Sequence, residues 1–279
     1  MRPTWQSDSR WTSPDPQRIE RRIRALAPRI PDTQFFSHLS AAGMWGLPLP
    51  SRGTGEPLHM SVLSPHPRPR ANGILGHELD GRVTTIVRID DIPVADPTST
   101  WCQLASMLSI PDLVAVADAM VMPEGDAAPL CTLSELDEAV NVRRGHRGAG
   151  QLREALDMVR IGSQSRVESV LRVLMNLAEL PEPRLRFHLD SPDGALNTVI
   201  PIAFTDYRVG VDVHLESDRA FRVRSAELER LARLDDLGWK LLAFSDADIH
   251  ASRQYELRQK LISLQNLLIQ QGWVPGSAP

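Results

Sequence analysis

Residues 161–279 carry the pattern that most restricts the fold, because helical and strand periodicities alternate there in a definite order. The spacing of apolar residues predicts an amphipathic helix from Ser165 to Leu177. The segments RLRFHL, NTVIPIAF and RVGVDVHL follow, each with the composition of a strand and each separated from the next by a short turn. A helix over 225–237, the strand WKLLAF and a last helix complete the order. The pattern predicts a separate α/β unit in which the four strands share one sheet and the first helix packs on it.

The first 160 residues have a different organisation. Residues 1–16 are polar and predict a flexible basic tail, and a short basic amphipathic helix is expected from Pro16 to Ile30. Four short β-prone segments between residues 58 and 95 predict a small antiparallel sheet. Asp96, a capping residue before a proline, opens a run of helical hairpins that extends to residue 160. The fold class is therefore expected to be α+β or α/β, with a mixed helical region over 17–160 and a sheet flanked by helices over 161–279.

Composition excludes several classes of protein. The chain of 279 residues is 42% hydrophobic and 24% charged, which is typical of globular proteins. It has no apolar run of the roughly 18–20 residues that a membrane span requires, and its start lacks the apolar core of a secretory signal. Two cysteines cannot build a disulfide framework, and no phosphate-binding glycine loop, GxSxG or HExxH motif is present. We expect a soluble cytoplasmic protein without nucleotide-driven chemistry.

The charge distribution leaves a nucleic-acid partner open. The net charge is −4, but the first thirty residues hold seven arginines against three acidic residues, a net +4. Arg21 and Arg22 of this stretch, and a second basic cluster of Arg143, Arg144 and Arg147, are candidate phosphate contacts. A solvated tail and a solvated loop are the alternatives.

The strand RVGVDVHL offers the clearest candidate site. Side chains alternate along a strand, so the valines share one face, and Gly210, Asp212 and His214 share the other. Asp212 and His214 would then lie roughly 7 Å apart, a spacing that suits a shared cation or proton. Glu168, on the preceding helix, could point across the sheet toward Asp212. The alternatives are a polar surface face, and a surface glutamate that the helix dipole favours.

The other histidines carry no metal signature in the sequence. His38 stands at the start of a predicted helix and is expected to be a packing residue. His59, His66 and His77 are distributed among loops and strands without the spacing of a metal cluster.

Several segments together resemble a known pairing of families. GSQSRVESVLRVLMNLAELPEPRL, VIPIAFTDYRVGVDVHLE and AELERLARLDDLGWKLLAFSDADI resemble the very-short-patch-repair-like endonuclease domains of the PD-(D/E)xK superfamily. FFSHLSAAGMWGLPLP and DDIPVADPTSTWCQLASMLSIPDLVAVADAMV are similar to the AbiEi-type antitoxin-like region that often precedes such domains in actinobacteria. The resemblance implies a restriction-endonuclease-like sheet in the C-terminal domain, and a winged-helix remnant with helical hairpins before it.

The resemblance also implies a catalytic set that this chain matches in part. The helix glutamate of the family corresponds to Glu168, but the aspartate of its second strand falls on Pro201. The acidic residue of the third strand falls on Asp212, and the functional position two residues later falls on His214. Proline supplies no side-chain ligand, and imidazole is a poor ligand for Mg²⁺, so a site of Glu168, Asp212 and His214 would suit Mn²⁺ or another softer ion better, or would have lost its metal.

The following helix retains the acid and the arginine of the family at Glu227 and Arg230. Two functions remain open. The chain is expected to be a nuclease-like, DNA-associated protein of a defence, repair or toxin–antitoxin context, with weak or absent cleavage. The alternative is a non-catalytic antitoxin-like regulator that binds DNA or a protein partner such as a cognate toxin. No membrane partner is expected, and the sequence leaves the oligomeric state open.

Overall fold

The computed structural model describes residues 16–50, 56–123, 125, 127–190, 197–214 and 224–276, with side chains omitted at 16, 17, 224–227 and 251. Residues 1–15 of the predicted tail lie outside the described residues. Two compact units are present, Met1–Arg166 and Val167–Pro279. The described residues form nine α-helices and two mixed sheets, an α+β fold. No helix among them combines the length and apolar character needed to cross a bilayer.

The first unit begins with a sheet and its covering helices. Its elements in chain order are α1 (Pro16–Leu26), β1 (Gln34–Phe36), α2 (His38–Trp45), β2 (Leu58–Leu63), β3 (Ile74–Leu79), β4 (Ile86–Ile89) and β5 (Ile92–Ala95). The strand order is β3-β2-β1-β5-β4. The prediction of an antiparallel sheet is wrong for two pairings, since β2 runs parallel to β3 and β1 runs parallel to β5. A short β-prone segment indicates that a strand forms, but it does not indicate whether the paired strand runs parallel or antiparallel to it.

Four helices complete the first unit: α3 (Pro97–Leu104), α4 (Ile110–Val121), α5 (Leu133–Val142) and α6 (Ala149–Asp157). The predicted cap is confirmed, because an Asp96 carboxylate oxygen accepts a hydrogen bond from the Ser99 amide at 2.9 Å. The segment after α6 is tied to α4, where Asp118 accepts from the Arg160 amide at 2.8 Å and Asp112 accepts from Arg166 Nε at 3.0 Å. These contacts place the division of the chain after Arg166, a few residues beyond the predicted boundary near residue 160.

The second unit follows the predicted order. Its elements are α7 (Arg166–Leu177), β6 (Arg184–Asp190), β7 (Asn197–Phe204), β8 (Val209–His214), α8 (Arg224–Asp236), β9 (Lys240–Ser245) and α9 (Gln254–Gln270). The sheet order β6-β7-β8-β9 confirms that the four predicted strands pair, with β9 parallel to β8 and the other neighbours antiparallel.

Apolar side chains cover both faces of this sheet. On one face, residues of α7 and α9 pack with the valines of β8 and with Phe244, which confirms the predicted packing of α7. On the other face, Leu234 of α8 and Trp239 pack against Ile200 and Ala203 of β7. The side chains of β8 therefore point alternately toward α7 and toward α8.

Candidate functional site

Strand β8 has the two faces that its sequence predicts. Val209 and Val211 are fully buried in the cluster with α7. Gly210 points the other way, and a Cβ there would lie 2.4 Å from Leu241 Cδ2 and 2.7 Å from Ile200 Cγ2. The glycine thus allows neighbouring side chains to close over the strand. Asp212 and His214 follow on this same face.

Asp212, His214 and Arg230 come together on the α8 face of the sheet. One carboxylate oxygen of Asp212, Oδ2, accepts a hydrogen bond from Arg230 Nη2 and lies 3.7 Å from His214 Nε2. The Asp212 side chain is 12% exposed and the Arg230 side chain 19%, so this ion pair is largely withdrawn from water. Arg230 Nη1 also lies 3.5 Å from Thr198 Oγ1. The acid predicted as a metal ligand is therefore paired with an internal cation.

Pro201 lies at an irregularity in β7. Ile202 packs on the α7 face, whereas Ile200 packs on the α8 face, although residues two apart on a regular strand share a face. Arg186, which the register places opposite Pro201, has a left-handed backbone with φ 51°. Proline cannot donate to a ladder, so the strand pair accommodates it by a local distortion.

The same proline stands where β7 and β8 separate. The pairing of β7 with β8 ends at Ile202 and Val211. If the same register continued by one residue, Pro201 would lie opposite Asp212. Asp212 instead continues in the parallel pairing with β9. The point where the two strands separate, next to Asp212, is thus filled by a residue without a side-chain ligand.

Glu168 lies in the first turn of α7 and is 8% exposed. The apolar residues of α7 pack on the valine face of the sheet, and Asp212 points to the other face. Glu227 belongs to α8, but its side chain lies outside the described residues. The joint binding of a metal by Glu168 and Asp212 therefore stays a prediction, as does a catalytic role for Glu227.

The predicted phosphate contacts differ in exposure. Arg144 and Arg147 are exposed in the turn between α5 and α6, and Arg21 is exposed on α1. Arg22 donates to the Glu56 carbonyl oxygen at 2.7 Å. Arg143 differs from the expected surface residue, because it is 9% exposed.

The guanidinium of Arg143 is used inside the first unit. It donates to the carbonyl oxygens of Ala139, at 3.1 Å, and Val83. A buried arginine requires such hydrogen-bond acceptors. Because Arg143 donates its N–H groups to these carbonyl oxygens, the same groups are not directed toward a phosphate.

The structure brings together three histidines for which the sequence predicted no shared site. His38 begins α2, His59 lies in β2 and His77 lies in β3. Their ligand nitrogens all lie within 4.8 Å of one another. Among the described residues this is the one set of three histidine, cysteine or acidic side chains with that property, so Glu168, Asp212 and His214 do not form another. The expectation that the histidines make no cluster is wrong for His59 and His77, and His38 joins them.

The three rings are in direct contact. His59 Nδ1 lies 3.0 Å from His77 Nε2, and the centroids of the His38 and His77 rings are 3.9 Å apart in a stacked arrangement. Strand register explains the first contact: His59 pairs with Leu75, and side chains two residues apart on β3 share a face, so His77 lies beside His59. His38 and His59 are buried, and His77 is half-buried on the edge strand of the sheet.

Buried hydroxyl groups hold the cluster in place. Ser61 Oγ donates to Ser37 Oγ at 2.6 Å, and Ser37 Oγ lies 3.0 Å from His38 Nδ1. The His59 amide donates to Ser40 Oγ at 2.7 Å. These contacts orient His38 through its ring and anchor His59 through its backbone.

The backbone of His38 is itself strained. Its φ of 47° lies in the left-handed region, which costs a non-glycine residue about 1–2 kcal/mol. The Gln103 side-chain oxygen accepts from the His38 amide at 2.8 Å and helps to hold this conformation. Such strain is frequent where a side chain is held for a function.

Burial keeps two of these rings neutral. Burial, with the neighbouring His77 and His59 rings, lowers the pKa of His38 from 6.5 to about 2. Burial and the charge of Arg68 lower the pKa of His77 below its ordinary value. At neutral pH each of these two imidazoles therefore has one protonated nitrogen and one lone pair.

Comparison with known proteins yields relatives without a described activity. The chain is 26% identical over 214 residues to two uncharacterized proteins of Mycobacterium tuberculosis, one from strain CDC 1551 / Oshkosh and one from strain H37Rv. Each alignment covers 75% of this chain and 73% of the relative. No family model matches the chain, and no solved structure matches it.

Proposed function

We propose that the chain is a DNA-associated protein of a defence, repair or toxin–antitoxin context whose second unit derives from a metal-dependent nuclease and cleaves weakly or not at all. The observation that carries this proposal is the ion pair between Asp212 and Arg230. The pair lies where strand β8 separates from β7, next to Pro201. An acid that served a metal would have to give up this cation first.

The ligand set fits Mg²⁺ poorly. Magnesium prefers oxygen ligands in octahedral geometry, and here the candidates beside Asp212 are a proline and an imidazole. Mn²⁺ accepts imidazole more readily, so any residual binding with Glu168 is expected to favour Mn²⁺. The positive charge of Arg230, next to the carboxylate, opposes either ion.

Restoration of the acids is the direct test. Purified protein should leave supercoiled plasmid intact with Mg²⁺ or Mn²⁺, because the site lacks ligands. The double variant Pro201→Asp, His214→Asp should nick the plasmid, and adding Glu168→Ala should abolish that activity.

The matched control is His188→Asp, which introduces an acid at an exposed histidine on β6 of the same sheet. It should leave the plasmid intact. If the unmodified protein cleaves plasmid strongly and Glu168→Ala abolishes this cleavage, the proposal of a degenerate metal site is wrong. An inactive double variant that keeps its fold would favour the second function.

The second candidate function is a non-catalytic antitoxin-like regulator that binds DNA or a protein partner. The exposed arginines Arg21, Arg144 and Arg147 favour it, because guanidinium groups on a surface suit phosphate oxygens. Binding through such contacts depends on counterion release and weakens steeply with salt.

Salt dependence tests this function without a known target sequence. Affinity for duplex DNA should fall as salt rises, and replacing the three arginines by alanine should reduce the log–log slope by about 2–3. Replacing Arg70, Arg253 and Arg258, which are also exposed, changes the net charge equally and should leave the slope nearly unchanged. Equal effects of both sets would contradict a specific phosphate-binding surface.

A further inference from the structure

We infer that His38, His59 and His77 form a binding site for a divalent transition-metal ion of the Zn²⁺ type, in the first unit and independent of the nuclease-like second unit. The three ligand nitrogens already lie within 4.8 Å of one another. Around a tetrahedral zinc ion with bonds of 2.0–2.1 Å, ligand nitrogens are about 3.3 Å apart. The most distant pair therefore has to close by at most about 1.5 Å.

The ligand chemistry selects the class of ion. Three imidazoles without a carboxylate among them suit Zn²⁺, Co²⁺, Ni²⁺ or Cu²⁺, whereas Mg²⁺ and Ca²⁺ prefer oxygen. Three protein ligands also leave a fourth position for water or another small ligand, as in zinc sites that are not purely structural.

The surroundings resemble those that orient metal-binding histidines. When His38 Nδ1 carries the proton, it donates to Ser37 Oγ at 3.0 Å, and the lone pair of the other ring nitrogen is free for a metal. Ser61 holds Ser37 in turn, at 2.6 Å. The ligating groups come from two adjacent strands and a helix start, so the scaffold that carries them is rigid.

Access to the site lies on the side of β3. His77 is half-buried on this edge strand, and its ring stacks on His38 at 3.9 Å. A rotation of the His77 ring would turn its ligand nitrogen from the stacked arrangement toward the other two histidines. The partly exposed position gives an ion a route to the two buried histidines.

The experiment uses Co²⁺ as a spectroscopic probe of the full chain. One equivalent should bind per chain and produce the visible absorption of a tetrahedral site, and Zn²⁺ should displace it. His77→Gln should weaken Co²⁺ binding at least tenfold. Because His77 is half-buried, this variant should retain its circular dichroism and its folded state without metal.

His66→Gln is the matched control, since His66 is an exposed histidine between β2 and β3 that is not part of the cluster. It should bind Co²⁺ as the unmodified protein does. Ser37→Ala should weaken binding by about 10–100-fold through the lost orientation of His38. Binding of no ion by the folded chain, or equal affinities of the His77 and His66 variants, would overturn the inference.

Discussion

Each unit buries polar side chains against a sheet, but the two units compensate the burial differently. The first unit contains an ion pair, Asp112 with Arg166, but its histidine cluster combines hydroxyl groups with imidazoles, two of which burial keeps neutral. The second unit uses ion pairs, Asp212 with Arg230 and Asp248 with Lys260. In an ion pair the two charges neutralise each other, whereas neutral imidazoles keep nitrogen lone pairs that can bind a metal ion. Asp212, which was expected to hold a metal, is thus neutralised by Arg230, whereas histidines for which no metal cluster was expected are arranged to hold an ion.

Matched core truncations test whether the two units are stabilised separately. Leu113 in α4 and Leu171 in α7 are both fully buried, and replacing either by alanine should cost about 3 kcal/mol. Each loss should raise hydrogen exchange in the unit that contains the substitution. Mass spectrometry of exchanged peptides can resolve this, and equal changes in both units would show that the units are not stabilised separately.

Mild acid should affect the first unit before the second. Folded His38 has a pKa of about 2, against 6.5 when unfolded, so the unfolded chain binds an extra proton below pH 6.5. The contribution of neutral His38 to the free energy of unfolding of the first unit is therefore fully present above pH 6.5. Below pH 6.5 this contribution should fall by about 1.4 kcal/mol per pH unit. Urea unfolding between pH 7.5 and 4.5, with a chelator present, measures the loss.

The second unit should respond only at lower pH. Burial raises the pKa of Asp248, but hydrogen bonds from Lys260 and Ser245 outweigh it and hold the pKa below 3.8. This contribution is complete above pH 3.8 and is lost as pH falls through the lower, folded value. His38→Asn should remove the His38 contribution to the pH dependence of the first unit between 7.5 and 4.5, and the lowered pKa of His77 should leave a remaining dependence of the same sign. An unchanged profile in that variant would contradict the assignment to His38.

A double-mutant cycle can measure the internal ion pair of the second unit. Asp212→Asn and Arg230→Gln should each destabilise the protein, with a coupling free energy of about 1–2 kcal/mol, because the pair is mostly buried. The exposed pair of Lys240 and Asp235 gives the control cycle, with a coupling below about 1 kcal/mol. Equal couplings would mean that the pair does not neutralise a buried acid.

The smallest expected difference concerns two close-packed glycines. A Cβ on Gly210 would meet both Leu241 and Ile200, so Gly210→Ala should cost about 1–3 kcal/mol. A Cβ on Gly43 would meet Ile19 Cγ2 at 2.8 Å, but a gain in helix propensity of up to about 1 kcal/mol offsets that clash. Urea midpoints should therefore fall more for Gly210→Ala, and the reverse order would contradict this account of the packing.

Local periodicity predicted the elements of the second unit well. The apolar stripe of α7 and the alternation of β8 are properties of consecutive residues, and they also placed Asp212 and His214 on one face. The pairing of the four strands followed because short turns join the first three. The same reasoning missed the parallel pairings of the first unit, since β2 and β3 are joined by a longer segment whose course no local pattern records.

Local patterns in the sequence thus predicted most helices and strands, although not β1, and they predicted which side chains of β8 share a face. Only the tertiary structure decided which charges meet, as with Arg230 and Asp212, and which arginine is buried, as with Arg143. Tertiary packing also joined His38 to His59 and His77, because the parallel register of β2 and β3 places His59 beside His77. Apolar periodicity depends on residues a few positions apart, so it predicts single elements. Contacts between residues that are distant in the chain depend on how whole elements pack.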